Sequence, residues 1–479
     1  MVTPLVLRDG TLLAPQRTAL LQRLERAVRR ARRAGRPVLA AHTARVGADI
    51  DPAGVVVASR RPGERWFCFE QPSRAGSAVA ALGSAAELRD DGTGGDRFRA
   101  LARRWRDLAA AAIVDPTDGP PGSGLVAVGG FTFADDGGAS PHWSGFPPAL
   151  LTVPEVGLAR SGDDVRVTVA IAAAPDDVPD ELLARLERRA GELRAAPLPL
   201  LDPTTVGRHR IASAAPPEHY ESAVARAVER IRAGDLEKVV LAREVQVHAA
   251  EPHDAAALHG VLREAFEDCY VFCAGTGESA FLAASPELLV RREGMRATTV
   301  ALAGSTRRSA DPAVDAHLGE QLLGSDKDRS EQAIVARRIV AALRPHAVWV
   351  AAAPEPVLVR VANIQHLGTP IRAQLAEPRS AVELAGLLHP TPAVGGEPLH
   401  RARPLIPALE GLDRGWYAGP VGWTDASDDG EFCVALRCAL LRGSVAHCYA
   451  GVGVVRDSNP ADELAETETK LQALLPVLT

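Results

Sequence analysis

The chain has 479 residues, of which 46% are hydrophobic and 24% charged, and its formal net charge is −6. These values are typical of a globular protein with a substantial core. The acidic balance provides no basic field, which excludes nucleic acid and anionic membrane as main partners. Residues 1–5 do not begin a signal peptide, and no apolar run approaches the roughly 18 residues of a membrane span. The sequence therefore predicts a cytoplasmic protein.

Six cysteines occur without a CxxC motif or a paired zinc-ligand spacing. Several lie in apolar strand patterns, so we expect buried free thiols in a reducing compartment. The cysteines are Cys68, Cys269, Cys273, Cys433, Cys438 and Cys448.

The N-terminal part begins with a basic amphipathic helix, predicted over residues 15–34. Its arginine run at 29–33 could bind phosphate, or it could be a solvated helix face. The second interpretation is simpler, because nothing aromatic or glycine-rich accompanies the arginines. Short strand-like segments follow near residues 65–69 and 125–131.

A proline-rich passage at residues 196–217 marks the best internal boundary. It is too short to be a flexible linker between independent domains. We therefore expect residues 1–215 to be the N-terminal half of one shared α+β body, and residues 216–479 to be its catalytic region.

The second part of the chain alternates helices with strands that short turns connect. Ser325 and Asp328 form an N-cap pattern for a long helix that runs to Leu343. Neighbouring strands joined by short turns indicate antiparallel pairing, and the interspersed helices predict the α+β class. The other predicted elements are helices at 218–233 and 253–266, strands at 238–247 and 269–275, a hairpin turn at 291–295, and a meander with strands at 417–424, 431–441 and 445–455.

Lys238 opens the predicted strand at 238–247, on the same side as Val240 and Ala242. In such an apolar neighbourhood a desolvated ammonium gives up its proton more readily, which suits a general base. The alternative is a lysine whose ammonium reaches solvent from the strand end.

Two glutamates also stand out from their surroundings. Glu287 follows Pro286 in a largely apolar stretch, where desolvation would raise its pKa and keep it protonated, as a general acid requires. An exposed glutamate at a turn is the alternative. Glu331 borders the apolar stripe of the long helix, so it is either a metal-ligand candidate or an ordinary surface residue.

Arg437 lies in the predicted strand at 431–441, between two alanines and opposite the bulky apolar face. A guanidinium over small residues leaves room for a planar carboxylate, which it can hold through two hydrogen bonds. On the next strand, Gly451 and Gly453 would let a ligand approach the backbone.

A last helix is predicted to start at Pro460 and Asp462. On it, Glu463, Glu466 and Lys470 fall on one face, within an arc of roughly 60°. Two carboxylates and an ammonium suit a hard divalent cation beside an anionic ligand. A solvated face with an i,i+4 pair of Glu466 and Lys470 is the simpler alternative.

Eight segments of the second part resemble motifs of the chorismate-utilising enzymes. They follow the family order over about residues 220–473, more than half of the chain, so agreement by chance is negligible. Within the family they are most similar to the isochorismate synthases. The segments are Lys238-Val-Val-Leu-Ala-Arg, Ala284-Ser-Pro-Glu-Leu-Leu, Leu302-Ala-Gly-Ser-Thr-Arg-Arg, Ser325-Asp-Lys-Asp-Arg-Ser-Glu331, His389-Pro-Thr-Pro-Ala-Val-Gly-Gly, Val421-Gly-Trp, Leu436-Arg-Cys and Glu463-Leu-Ala-Glu-Thr.

The resemblance implies one large α+β body, in which two antiparallel β-sheets pack together with helices on the outside, and it makes residues 216–479 the chorismate-binding part. It implies Mg²⁺-dependent isomerisation of chorismate to isochorismate, in which water attacks C2 and the C4 hydroxyl leaves. It assigns the base to Lys238 and the acid to Glu287. The implied magnesium ligands are Glu331 and Glu466, with Glu463 acting through water, and the implied substrate contacts are Gly304, His366, Arg437, Gly451 and Lys470.

The resemblance also bears on the alternatives. Family members that use ammonia typically lack a lysine at the position of Lys238 and work with a glutaminase, so Lys238 implies water as the nucleophile and no glutaminase subunit. Salicylate synthase, which goes on to eliminate pyruvate, is the enzymatic alternative. A regulatory relative that only binds chorismate is the alternative from another class. We expect a monomer that serves menaquinone rather than siderophore biosynthesis.

Overall fold

The computed structural model describes residues 3–4, 17–92, 96–116, 118–201, 209–277 and 279–479. Its strands form two large antiparallel sheets with helices on their outer faces. The predicted fold class, α+β with two packed antiparallel sheets, is confirmed. Among the helices of these described ranges, none is long and apolar enough to cross a bilayer.

Helices interrupt the strands along the whole of the described chain. The strands are β1 (Thr3–Pro4), β2 (Val38–Val46), β3 (Trp66–Gln71), β4 (Ser77–Leu82), β5 (Ala86–Asp90), β6 (Val126–Phe131), β7 (Ala149–Val153), β8 (Val156–Ser161), β9 (Asp164–Ala173), β10 (Arg194–Ala195), β11 (Arg210–Ser213), β12 (Lys238–His248), β13 (Tyr270–Thr276), β14 (Ser279–Ser285), β15 (Leu288–Glu293), β16 (Arg296–Arg307), β17 (Ala347–Ala352), β18 (Val357–Arg360), β19 (Ile364–Leu375), β20 (Gly396–Glu397), β21 (Pro420–Asp425), β22 (Gly430–Val434), β23 (Cys438–Arg442) and β24 (Val445–Val454). The helices are α1 (Arg17–Ala34), α2 (Pro52–Ser59), α3 (Arg97–Ala111), α4 (Pro179–Gly191), α5 (Pro217–Arg232), α6 (Ala255–Ala265), α7 (Pro312–Gly324), α8 (Asp326–Leu343), α9 (Ala381–Leu388), α10 (Leu399–Glu410), α11 (Pro460–Leu471) and α12 (Leu475–Leu478).

Both large sheets combine strands from the two halves of the chain. The larger sheet has the order β11-β12-β24-β23-β14-β13-β3-β4-β8-β9-β2, with β20 beside β12. The smaller has the order β17-β19-β16-β15-β22-β21-β6-β7-β5, with β18 beside β19. The halves join where β13 pairs with β3 and where β21 pairs with β6. The functional division at residues 215 and 216 stays a prediction.

An apolar core lies between the two sheets and holds them together. Phe69 and Phe272 enter it from the larger sheet, and Val128 and Phe432 enter it from the smaller one. Each of these four side chains is at most 3% exposed, so the contacts between them are shielded from water. The strands that carry the site are therefore held in place by the hydrophobic effect on both sides of the molecule.

A second core lies between the larger sheet and the outer helices. Leu20 and Leu24 of α1 and Leu183 of α4 are fully buried in it. The arginines of α1 at residues 29–33 are exposed, as the solvated-face interpretation predicts. The six cysteines are buried free thiols, also as predicted.

The chain crosses from one large sheet to the other at two places. The first crossing passes from β14, in the larger sheet, through Pro286 and Glu287 into β15, in the smaller sheet. The second passes from β22, in the smaller sheet, through residues 435–437 into β23, in the larger sheet. The predicted continuous strand at 431–441 is therefore wrong, because the chain changes sheets within it.

The two crossings lie side by side and are bonded to each other. The Ala284 amide donates to the Arg437 carbonyl at 3.1 Å, and the Val434 amide donates to the Glu287 carbonyl at 3.0 Å. Arg437 has a φ of 50°, a left-handed conformation that is uncommon for a residue other than glycine. This backbone turn, rather than strand alternation, determines the position of its side chain.

Candidate active site

A cavity lies beside the two crossings, between β24, β16 and the helices α8 and α11. Nine of the ten residues predicted from the sequence line it. They are Glu287, Gly304, Glu331, His366, Arg437, Gly451, Glu463, Glu466 and Lys470. The tenth, Lys238, lies behind the lining, where it contacts Glu331.

Lys238 is fully buried at the start of β12. Its Nζ lies 2.8 Å from Glu331 Oε1, as an ion pair rather than a well-oriented hydrogen bond. Gly453, on the neighbouring strand, makes this pair possible: a Cβ there would overlap Glu331 Oε1 and lie 2.7 Å from Lys238 Cε. The alternative of a lysine that reaches solvent is wrong for this structure.

Glu287 is only 4% exposed, at the first crossing. Burial raises the pKa of its carboxyl group to about 8, although the positive charges of Lys238, Arg437 and Lys470 act in the opposite direction. The group is therefore mostly protonated at neutral pH, as the sequence predicted. The alternative of an exposed turn residue is wrong.

Two helices deliver the other carboxylates. The Ser325 side chain caps α8 by accepting from the Asp328 amide, which confirms the predicted cap, and the helix brings Glu331 to the cavity. Helix α11 begins at Pro460, within the predicted start, and the Asn459 side chain caps it by accepting from the amides of Ala461 and Asp462.

The carboxylate face of α11 points inward. Glu463, Thr467 and Leu471 are its buried residues, and Glu466 and Lys470 line the cavity beside them. The simpler alternative of a solvated face is therefore wrong. The predicted pair exists within this inward face, since Lys470 Nζ lies 2.7 Å from Glu466 Oε1.

Each of the three helix-borne carboxylates has one lysine partner. The whole chain contains three lysines among its 54 basic residues, and all three are used here. The pairs are Glu331 with Lys238 at 2.8 Å, Glu463 with Lys327 at 3.1 Å, and Glu466 with Lys470 at 2.7 Å.

Lys327 is a site residue to which the sequence analysis gave no role. The available signal was the scarcity of lysine: where a chain uses arginine almost everywhere, a lysine marks a position that needs a compact point charge. Ser305 was also missed. Its hydroxyl donates to Glu466 Oε1 at 2.8 Å, because a bulge at Gly304, with a φ of +70°, shifts the register of β16 there.

The pKa values of two helix-borne carboxylates shift in opposite directions. Burial raises the pKa of Glu463, more than Ser458 and Lys327 lower it. Burial also acts to raise the pKa of Glu466, but Lys470 and Ser305 outweigh it and hold that pKa below its usual value. Within the described part of the chain, Glu331, Glu463 and Glu466 do not each place one carboxylate oxygen within 4.8 Å of those of the other two.

Arg437 and His366 form a second polar unit in the cavity. Arg437 Nη2 lies 3.4 Å from His366 Nε2, and His366 Nδ1 lies 3.2 Å from the Gly304 carbonyl. Burial, with the positive charges of Arg437 and Lys470, lowers the pKa of His366 to about 3. The imidazole is therefore neutral, donates from Nδ1 to the carbonyl, and accepts from the guanidinium at Nε2.

At Gly451, which has no side chain, the cavity reaches the backbone of β24. Lys470 Nζ donates to the Gly451 carbonyl at 3.0 Å. A Cβ at this position would lie 2.7 Å from Tyr417 Oη and 3.1 Å from the Leu241 carbonyl, so a larger residue would displace the wall. The site thus joins a protonated carboxyl group, three lysine–carboxylate pairs and the Arg437 guanidinium in one cavity, which suits an anionic substrate and acid–base chemistry.

Comparison with known proteins identifies the class. The family model described as "Chorismate binding enzyme" matches residues 23–479. The chain belongs to this family, and the resemblance seen in its motifs is confirmed.

Individual relatives are similar over nearly the whole chain. The salicylate biosynthesis isochorismate synthase of Pseudomonas aeruginosa is 38% identical over 468 residues, covering 96% of this chain and 94% of that protein. The isochorismate synthase MenF of Bacillus subtilis is 30% identical and covers 88% of this chain and 89% of its own length. The solved structure of the menaquinone-specific isochorismate synthase MenF of Escherichia coli superposes with a TM-score of 0.77 at 27% identity, covering 96% of this chain and 99% of that chain.

Proposed function

We propose that the protein is an isochorismate synthase, an isomerase that converts chorismate into isochorismate. The observation that carries this proposal is the contrast at one cavity between a buried lysine, Lys238, and a buried carboxyl group, Glu287, whose pKa is raised to about 8. A base and a protonated acid are the two groups that exchange of a hydroxyl between two carbons requires. The names of the relatives support the same reaction.

Substrate binding uses the cationic and backbone groups of the cavity. Arg437 and Lys470 bind the carboxylates of the dianionic substrate, Arg437 through the planar edge that suits bidentate contacts. Gly304 and Gly451 contribute backbone groups, and neutral His366 keeps the Arg437 guanidinium in position. A buried cavity with these charges holds chorismate away from bulk water.

The chemical step moves one hydroxyl across the ring. Lys238, once its ammonium has given up a proton, acts as a neutral amine and accepts a proton from the water that attacks C2. Glu287 gives its proton to the C4 hydroxyl, which leaves as water. The ring double bonds shift between the two carbons, so one water enters and one departs. Return of the proton from Lys238 to Glu287 restores both groups.

The donor set also fits magnesium. Glu331, Glu463 and Glu466 offer only oxygen atoms, which this hard cation prefers, and Mg²⁺ usually keeps several waters. Glu331 and Glu466 would hold the ion directly and Glu463 through water. When bound, the ion supplies a Lewis-acid contact for a substrate carboxylate.

Salicylate synthase is the second candidate, because it uses the same lysine before it eliminates pyruvate. The segments beginning at Leu302 and His389 favour the isomerase. We further propose residues 216–479 as the catalytic region, since all ten site residues lie there. A cytoplasmic monomer without a glutaminase subunit, and a role in menaquinone rather than siderophore biosynthesis, complete the proposal. Loss of cellular menaquinone after gene deletion would test the pathway.

Incubation of the purified chain with chorismate and Mg²⁺ tests the activity. We expect isochorismate to accumulate, and Lys238→Ala to lower kcat by about 10² to 10⁴, the usual contribution of a general base. His248→Gln, at the far end of the same strand, is the matched control and keeps normal turnover. Salicylate and pyruvate formed without a lyase would overturn the isomerase assignment. Full turnover by Lys238→Ala would overturn the assigned base alone.

A further inference from the structure

A second cluster of ligand-type side chains lies on the same two strands that carry Lys238 and Gly451. In the register of β12 and β24, Gln246 faces His447 and Glu244 faces Tyr449. Glu244 and His447 are therefore diagonal neighbours on one face of the sheet. The register thus brings a carboxylate and an imidazole together.

The third member comes from the other half of the chain. His142 lies in a short 3₁₀ turn, Pro141–Trp143, between β6 and β7. One ligand atom from each of His142, Glu244 and His447 lies within 4.8 Å of those of the other two. We call these three residues the His–Glu–His cluster.

The turn that carries His142 is firmly attached to its surroundings. Arg442 Nη1 donates to the Pro141 carbonyl at 2.8 Å and to the His142 carbonyl at 3.0 Å. Trp143, which is fully buried, donates from Nε1 to the Asp413 carbonyl at 3.1 Å. The backbone of His142 is therefore held in position, while its ring can turn about its side-chain bonds.

The pKa shifts of His142 and Glu244 favour the forms that bind metals. Burial, and then the neighbouring His447, lowers the pKa of His142, which favours its neutral imidazole. Burial acts to raise the pKa of Glu244, but hydrogen bonds from His447 and Gln246 outweigh it, so the carboxylate is ionised. Neutral imidazole and carboxylate are the forms that coordinate a cation.

One atom of the cluster lacks a partner. His142 Nε2 is buried and makes no hydrogen bond within the part of the chain that the structure describes. By contrast, His447 Nδ1 and Gln246 Nε2 lie 2.7 Å and 2.8 Å from Glu244 Oε1. A buried nitrogen without a partner is uncommon and calls for a ligand or another explanation.

We propose that the His–Glu–His cluster binds one divalent ion of the zinc type. Two imidazoles and one carboxylate, with water as a fourth ligand, form a known zinc set, whereas magnesium prefers oxygen alone. The site is therefore distinct in chemistry from the carboxylates of the active-site cavity. The proposal does not depend on the isochorismate synthase assignment.

Binding needs a small rearrangement of the rings. The imidazoles of His142 and His447 are stacked, with centroids 4.7 Å apart and planes 10° apart. A tetrahedral ion with bonds of about 2.0–2.1 Å separates its ligand atoms by about 3.4 Å, so the rings must rotate out of the stack to converge. An adjoining cavity, bordered by His142 and Glu244, offers a path for entry and room for water.

Zinc titration of the full-length chain tests the proposal, with Mg²⁺ in excess so that the active-site carboxylates are engaged. We expect the wild type to bind one zinc ion by calorimetry, and His447→Gln and His142→Gln to bind at least tenfold more weakly. His248→Gln, a histidine on β12 outside the cluster, and Glu331→Gln should bind like the wild type. Cobalt(II) in place of zinc should give the intense visible absorption of a four-coordinate ion.

Three outcomes would overturn the proposal: no zinc bound by the wild type, unchanged binding by both His447→Gln and His142→Gln, or loss of the zinc ion in Glu331→Gln, which would put it in the active site. Melting curves without zinc show whether each variant is folded. If one histidine variant does not fold, the other decides, because the two residues lie on separate elements. Zinc should raise the melting temperature of the wild type by more than that of either histidine variant.

Discussion

The carboxylates that α8 and α11 bring to the cavity each have a lysine within 3.1 Å, whereas Glu287 forms no ion pair in the described part of the chain. We call the first set, Glu331, Glu463 and Glu466, the helix wall. Glu287, with His366 and Arg437, forms the strand wall. In the helix wall each carboxylate is paired with a lysine ammonium. In the strand wall a carboxyl group, a neutral imidazole and a guanidinium are buried away from water.

This difference shows how one side-chain type can serve two purposes at one cavity. A glutamate whose ammonium and hydroxyl partners outweigh its burial stays ionised and can bind a cation, as Glu466 illustrates. A glutamate buried without a counter-ion keeps its proton near neutral pH and can donate it, as Glu287 illustrates. The surroundings, rather than the residue type, determine the role.

The largest effect should follow from removal of the strand-wall acid. Glu287→Gln keeps the shape of the side chain but cannot donate the carboxyl proton, so we expect kcat to fall by about 10² to 10⁴ with little change in substrate affinity. Glu293→Gln, at the exposed end of the strand that follows Glu287, is the control and should be neutral. Steady-state kinetics with chorismate measure both. Unchanged kcat in Glu287→Gln would remove the distinction between the walls.

A smaller effect is expected on the helix wall. Glu466→Gln should weaken Mg²⁺ binding by at least about tenfold to hundredfold, which is the loss seen when groups that only orient metal ligands are changed. A high Mg²⁺ concentration should restore part of the activity. Glu468→Gln changes a carboxylate on the same helix whose side chain is 62% exposed, and should leave the magnesium dependence intact. Activity measured against Mg²⁺ concentration compares the two. Equal magnesium dependence in both variants would contradict the assigned ligand.

The smallest effect is the pH dependence. Because the pKa of Glu287 is raised to about 8, the proton needed for catalysis is present below that pH and lost above it. We expect kcat/KM to fall about tenfold by pH 9 from its plateau. His366, with a pKa lowered to about 3, adds no step between pH 5 and pH 9. A kcat/KM that stays constant up to pH 9.5 would contradict the assigned acid.

The raised pKa of Glu287 also makes the stability of the fold depend on pH. The folded state binds the Glu287 proton more tightly than the unfolded chain, so stability falls as pH rises from about 4.3, the usual value, towards 8. Glu287→Gln removes this dependence. Denaturant unfolding at several pH values therefore reports on the strand wall without any substrate.

The sequence predicted most of the fold, and nine of its ten predicted site residues line the cavity. Helices α1, α5, α6, α8 and α11 lie where periodicity and capping residues indicated, since both are local signals. Lys238 and Glu287 were identified because a charged residue in an apolar stretch is conspicuous in a one-dimensional pattern. These are features that a short segment carries by itself.

The features that were missed depend on distant parts of the chain. Apolar alternation continues from β22 into β23, so the pattern alone gave no sign that the chain changes sheets before Arg437. The pairs of Glu463 with Lys327 and of Lys238 with Glu331 join residues far apart in sequence, and only packing brings them together. The scarcity of lysine was visible in the sequence, but its meaning emerged only once all three lysines were seen at one site.

The paired crossings have a consequence for how the protein becomes active. Glu287 and Arg437 lie in neither sheet, and their backbones bond to segments that leave one sheet for the other. A folding intermediate with only one sheet formed would hold neither residue in place. Pairing of strands distant in sequence is slow, because the entropy of loop closure is lost before the stabilising contacts form. Recovery of catalysis after refolding therefore marks the docking of the two layers, and secondary structure can return before the first turnover.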